Sequence, residues 1–167
     1  MGTKTSSGSN TAEMNVVMIN RVFEMPSSQV WEALTNPEMF KKWWGPNGFT
    51  CPYSEMDARV GGKYLNCMRS AEGKDFWSAG KVREMIPGKR LVITDSFSDE
   101  KGNIKTAADY GMPGDWPKES LIRFELEEAD GATKLVLIHE GIPAEMHDDC
   151  VQGWNEAFDK LEESLQE

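Results

Sequence analysis

The sequence predicts an α+β domain in which a curved antiparallel sheet of six to seven strands wraps around a long C-terminal helix, with two short helices after the first strand. Two periodicities and their order predict it. Apolar residues recur with period two through most of Phe49 to Gly141, whereas Met146, Cys150, Val151, Trp154, Phe158, Leu161 and Leu165 fall at spacings of three and four. A sheet with one apolar face and a helix with one apolar stripe bury each other most economically when the sheet grips the helix. Where the grip is incomplete, a cavity can remain between them.

Each element has a local cause. Residues 1–12, rich in Ser, Thr, Gly and Asn, read as a flexible tail ahead of a domain spanning 13–167. Val16 to Phe23 is dense in β-branched residues and reads as a strand. Pro26-Ser27-Ser28 opens a helix carrying Val30, Trp31 and Leu34, and Asn36-Pro37-Glu38 breaks and restarts it toward Trp43-Trp44. Gly45-Pro46-Asn47-Gly48 ends that second helix. A weaker strand covers Phe49 to Met56, and four clear ones cover Lys63–Ser70, Phe76–Ile86, Arg90–Phe97 and Ser120–Glu128. Asp130-Gly131 then turns the chain into a last strand, Thr133–Gly141. The final helix runs from Ala144 to Glu167 behind Pro143, and Gly153 within it implies a close approach to the sheet or to the neighbours of Trp154. Between Phe97 and Ser120 lies a long Gly- and Pro-bearing segment, residues 98–119, open to three readings: cavity lid, ordered surface loop or disorder.

Composition narrows the function. With 167 residues the chain can bury a substantial core, and seven Phe, six Trp and three Tyr are too many for a disordered one. The net charge of −10 opposes phosphate backbones and anionic lipid, so neither nucleic acid nor membrane is an expected partner. Seven of those ten negative charges fall in the C-terminal helix, where they read as a solvated face. Cys51, Cys67 and Cys150 form no disulfide framework and, with two histidines, no zinc pattern; their usage suits a reducing cytoplasm. No metal or cofactor is expected.

Strand alternation sorts the inner face. Lys81 and Arg83 point Phe76, Gly80, Val82 and Glu84 inward, and the same test turns Tyr64, Asn66 and Met68 in. Ile122, Phe124 and Leu126 follow from Arg123 and Glu125; Leu135, Leu137 and His139 follow from Lys134 and Glu140. A bulge would invert any of these assignments, and Arg90–Phe97 shows no alternation to read. Glu84 and His139 are therefore expected inside an apolar face, either satisfying each other or the backbone, or orienting a ligand. Of the adjacent Trp43 and Trp44, one is expected to seal the helix–sheet joint and the other to line the cavity mouth. The candidate ligand-binding set is Trp44, Tyr64, Met68, Phe76, Val82, Glu84, Trp116, Phe124, His139 and Trp154; no catalytic set is recognisable.

Ordered pieces of the chain carry a resemblance. They include Arg21-Val-Phe, Val30-Trp31-Glu-Ala-Leu-Thr-Asn-Pro-Glu38, Trp43-Trp44-Gly45-Pro46 and Asp57-Ala-Arg59-Val-Gly61-Gly62. Gly80, Val82 and Glu84, Pro87 with Arg90-Leu91-Val92, Thr133 to Gly141, and Gly153-Trp154 continue the set. Together they resemble the activator-of-heat-shock-ATPase-like branch of the START/birch-pollen-allergen superfamily, the helix-grip fold. That resemblance implies a protein that holds a small apolar or aromatic molecule in the cavity under the helix. It leaves two alternatives: an enzyme acting on a cavity-bound aromatic or polyketide-like ligand, and a co-chaperone or stress-response interaction protein. The eukaryotic namesake adds an N-terminal chaperone-binding domain for which this chain has no room, so stimulation of a 90-kDa heat-shock ATPase is not expected. Monomer and homodimer both remain open.

Overall fold

The structure is a computed structural model that describes residues 16–166; the predicted tail lies outside the described residues. Strand β1 (Val16–Phe23) leads into helices α1 (Ser27–Thr35) and α2 (Pro37–Phe40). Strands β2 (Thr50–Met56), β3 (Lys63–Arg69), β4 (Asp75–Ile86), β5 (Arg90–Ser98), β6 (Ser120–Ala129) and β7 (Ala132–Glu140) follow, and helix α3 (His147–Leu165) closes the chain. The seven strands form one antiparallel sheet in the order β1-β7-β6-β5-β4-β3-β2. Six strands in a row pair with their sequence neighbours, and β1 crosses over to flank β7. The sheet curls around α3 as the two periodicities predict.

The short helices are where local chemistry and pattern agree least. Asn36 caps α2 by accepting from the Glu38 amide at 2.9 Å, and Pro37 occupies the first turn, where a missing N–H costs nothing. The regular helix then stops at Phe40, and the chain reaches Trp43-Trp44 through turns. Helix α3 starts later than its apolar pattern, because Ala144–Met146 winds as a tighter 3₁₀ turn ahead of it.

Side chains fasten α3 along both flanks. Arg21, on the concave face of β1, donates to the Asn155 carbonyl at 3.2 Å, to Asp159 at 2.9 Å and to Glu162 at 3.2 Å. On the other side Lys160 donates to the carbonyls of Pro46 and Phe49, each at 3.3 Å, and Glu156 accepts from the Asn47 amide at 3.0 Å. Part of the acidic face is thus a docking surface for Arg21 and for the Gly45–Gly48 turn. Gly153 corrects an expectation: a Cβ there would meet only Pro46 Cβ, at an ordinary 3.8 Å, so no close approach demands glycine.

Under α3 the core is largely aromatic. Phe158 stacks on Trp43 (centroids 6.0 Å) and on Trp154 (5.5 Å), and meets Phe23 edge-on at 6.2 Å. Trp154 in turn meets Phe124 at 5.9 Å and Trp44 at 5.4 Å. Trp43 is wholly buried with its indole donating to the Ala33 carbonyl at 2.8 Å, which makes it the seal of the helix–sheet joint.

Candidate functional site

The concave face divides into a buried half and a half that keeps accessible surface. Tyr64, Val82, Phe124, His139 and Trp154 are buried, and the last four of these pack in the buried half or its edge. Trp44, Met68 and Phe76 keep accessible surface, as do Ser78, Asp95, Phe97 and Ser120 beside them on the concave face. Trp116, also partly accessible, reaches this group by an edge-on contact with Phe97 at 5.4 Å. These side chains face the grip of the sheet and keep partial accessibility.

Glu84 does not belong to this group. The pairing register slips between Val82 and Glu84, inserting a bulge that flips the alternation. Met85 takes the inner position and packs against the core, while Glu84 is exposed with its carboxylate 3.6 Å from Arg90 on the outer face. The expected Glu84–His139 pair therefore does not exist.

His139 is satisfied by other partners. The Trp154 indole N–H donates to its Nδ1 at 3.1 Å, which leaves the ring proton on Nε2, 3.3 Å from the Ser120 hydroxyl. Ser120 passes the chain on by donating to the Asp95 carbonyl at 3.3 Å. Burial holds the imidazole down at a pKa of about 4, so it stays neutral at pH 7 and ties α3 to the sheet.

The polar groups between β3 and β5 depend on a glycine. At Gly80 a Cβ would fall 1.9 Å from the Thr94 carbonyl oxygen and 2.7 Å from the Tyr64 ring. Only a glycine lets Tyr64 lie across β4 and donate its hydroxyl to the Thr94 carbonyl and to Asp95 Oδ1, both at 2.7 Å. The β4–β5 ladder opens here, and the Lys81 amide turns to the Thr94 hydroxyl at 2.9 Å instead. Burial raises the Asp95 carboxyl to a pKa of about 6, against which the Tyr64 hydrogen bond works. Asp95 thus lies deep in the fold while keeping accessible surface.

Residues 98–119 are ordered by their own contacts. Asp99 accepts from the amides of Lys101 and Asn103, and Thr106 and Asp109 cap each other across the 3₁₀ turn Ala108–Tyr110. The Tyr110 hydroxyl donates to the Ser98 carbonyl and accepts from the Trp77 amide, which pins the turn to the ends of β4 and β5. Its ring lies against Phe76 (5.5 Å) and Phe97 (6.0 Å), and Phe49 meets Phe76 from the other side at 6.1 Å. The segment therefore covers the aromatic end of the concave face.

Two depressions lie elsewhere. One, between α1, α2 and β2–β3, is too narrow to admit a water molecule. The other, about 640 Å³, sits at the β4–β5 hairpin among Lys89, Arg90, Lys134, Glu125, Glu127 and Glu128, whose mixed charges suit solvent better than an apolar ligand. Among the described residues no cluster of three or more His, Cys, Asp or Glu could hold a metal ion, and no helix is long and apolar enough to cross a membrane.

Alternation on β3, β6 and β7 correctly placed Tyr64, Met68, Phe124 and His139. It missed Asp95, Phe97 and Ser78. Phe97 and Asp95 lie on the strand without alternation, while Ser78 was readable from the parity of Phe76 and Gly80.

Comparison with solved structures supports the same architecture. A protein from Chromobacterium violaceum is 28% identical with a TM-score of 0.76, covering 92% of this chain and 98% of that one. A protein from Arthrobacter aurescens is 21% identical with a TM-score of 0.78, covering 93% and 88%. One from Silicibacter pomeroyi, described as an AHSA1 protein, is 22% identical with a TM-score of 0.72, covering 90% and 97%. No curated protein matches the chain. The family model described as Activator of Hsp90 ATPase homolog 1-like protein matches residues 24–166, and the chain belongs to that family.

Proposed function

We propose that the protein binds one small, mostly apolar aromatic molecule in the recess between the sheet and the start of α3. The observation that supports this reading is the row of concave-face side chains, Trp44, Met68, Phe76 and Phe97, that remain partly accessible, with Trp116 at its rim. Aromatic walls with a few polar groups are the usual composition of a small-molecule site, and burial supplies affinity at about 25 cal/mol per Å² of apolar surface. Tyr64, Val82, Phe124, His139 and Trp154 support the recess from behind. A binding protein needs no more than this.

Titration with the neutral fluorophore N-phenyl-1-naphthylamine tests the reading. The expected result is a saturable rise in emission at one equivalent, abolished by Ser78→Phe, which fills the recess, in a protein whose thermal melt stays cooperative. Equal binding by wild type and the Ser78→Phe protein would place the ligand elsewhere and overturn the assignment.

A further inference from the structure

The chemistry of the ligand follows from which hydrogen-bonding valences the recess leaves unused, an inference that rests on the binding reading above. The polar groups at its floor are nearly all committed. Tyr64 spends its hydroxyl proton on Thr94 and Asp95, Ser120 spends its own on the Asp95 carbonyl, and both ring nitrogens of His139 are engaged. Asn66 Oδ1 accepts from Ser54 at 2.7 Å, and its side-chain amide N–H groups have no partner among the described residues.

The dedicated acceptor that remains is Asp95 Oδ2. Oδ1 accepts from Tyr64, but Oδ2 has no partner among the described residues and is not fully enclosed. The Ser78 hydroxyl, also without a partner, can serve as donor or acceptor and so imposes no choice. The Trp44 indole N–H is a donor without a partner among the described residues. A carboxylate oxygen accepts only. A ligand carbonyl or ether placed against it sets lone pair against lone pair, whereas a hydroxyl completes it with a charge-assisted bond.

We infer that the recess selects aromatic molecules bearing a free hydroxyl, a phenol or an aryl carbinol, through a hydrogen bond donated to Asp95 Oδ2. This replaces the Glu84–His139 pair as the selecting device.

Calorimetric titration at pH 7.5 with 2-naphthol and 2-methoxynaphthalene separates the possibilities. Wild type is expected to bind the naphthol at least tenfold more tightly than its methyl ether. Asp95→Leu, which removes the acceptor, is expected to bring the two affinities within threefold. Asp95→Asn, whose neutral amide is the gentler change if the leucine variant fails to fold, is expected to narrow the gap in the same direction. Equal binding of both ligands by wild type overturns the hydroxyl selection and leaves the binding reading standing, as does a gap that survives in the Asp95 variants. Binding of neither ligand overturns both.

Discussion

Replacing Trp154 with Ala should cost about 3–5 kcal/mol in chemical denaturation, the usual range for deleting a buried large aromatic. Three features put it toward the upper end. The indole touches Trp44, Phe124 and Phe158, so its loss opens a cavity in the middle of the α3–sheet contact rather than at an edge. Its N–H is the donor to His139 Nδ1, and a buried imidazole nitrogen left unpaired adds a penalty of roughly 1–3 kcal/mol. Rigid neighbours on both the helix and the sheet leave little freedom for collapse. Trp154→Phe, which keeps most of the ring area but not the donor, should separate the packing contribution from the hydrogen bond. A loss under 1 kcal/mol for the alanine protein would mean that the sheet does not grip the helix through this residue.

Acidification should have opposite effects on two single variants. Burial lowers the His139 pKa from the ordinary 6.5 to about 4, so as pH falls through this window the unfolded chain takes up a proton that the folded one refuses, and stability is lost. The Asp95 pKa is raised from 3.8 to about 6, so over nearly the same window the folded chain takes up a proton first, and stability is gained. In wild type the two contributions, each of order 3 kcal/mol when fully developed, largely offset each other. Asp95→Asn removes the gain, so relative to wild type that protein should lose stability between pH 6.5 and 4. His139→Gln removes the loss, so it should gain relative to wild type over the same range. Urea melts at a series of pH values read this directly. Parallel profiles for all three proteins would show that neither group carries the proton linkage assigned to it.

How much of this was readable from the chain varies with strand position. Strands β6 and β7 alternate cleanly because one face meets the core and the other meets water, and the helix stripe is equally clear; both emerged as expected. The bulge after Val82 left no mark in the sequence, since Arg83 and Glu84 look like ordinary alternation until the register slips, and this is why Glu84 was placed on the wrong face. Strand β5 failed for a different reason. Leu91, Val92, Ile93 and Thr94 are all buried, so a central strand covered on both faces carries no period to read, and the carboxylate at Asp95 was hidden with it. The crossing of Tyr64 over Gly80 is a tertiary fact: the glycine was visible, but the ring that requires it comes from the neighbouring strand.

Six tryptophans make the central claim directly observable. Their indole N–H resonances can be followed in a ¹H–¹⁵N spectrum as N-phenyl-1-naphthylamine is added to saturation. Trp44 and Trp116 border the proposed recess, whereas Trp77 meets Tyr53 at 5.6 Å on the outer face and Trp31 lies on α1. An aromatic ligand held in the recess should shift the Trp44 and Trp116 signals strongly and leave Trp31 and Trp77 in place. Shifts confined to Trp31 or Trp77 would contradict the account.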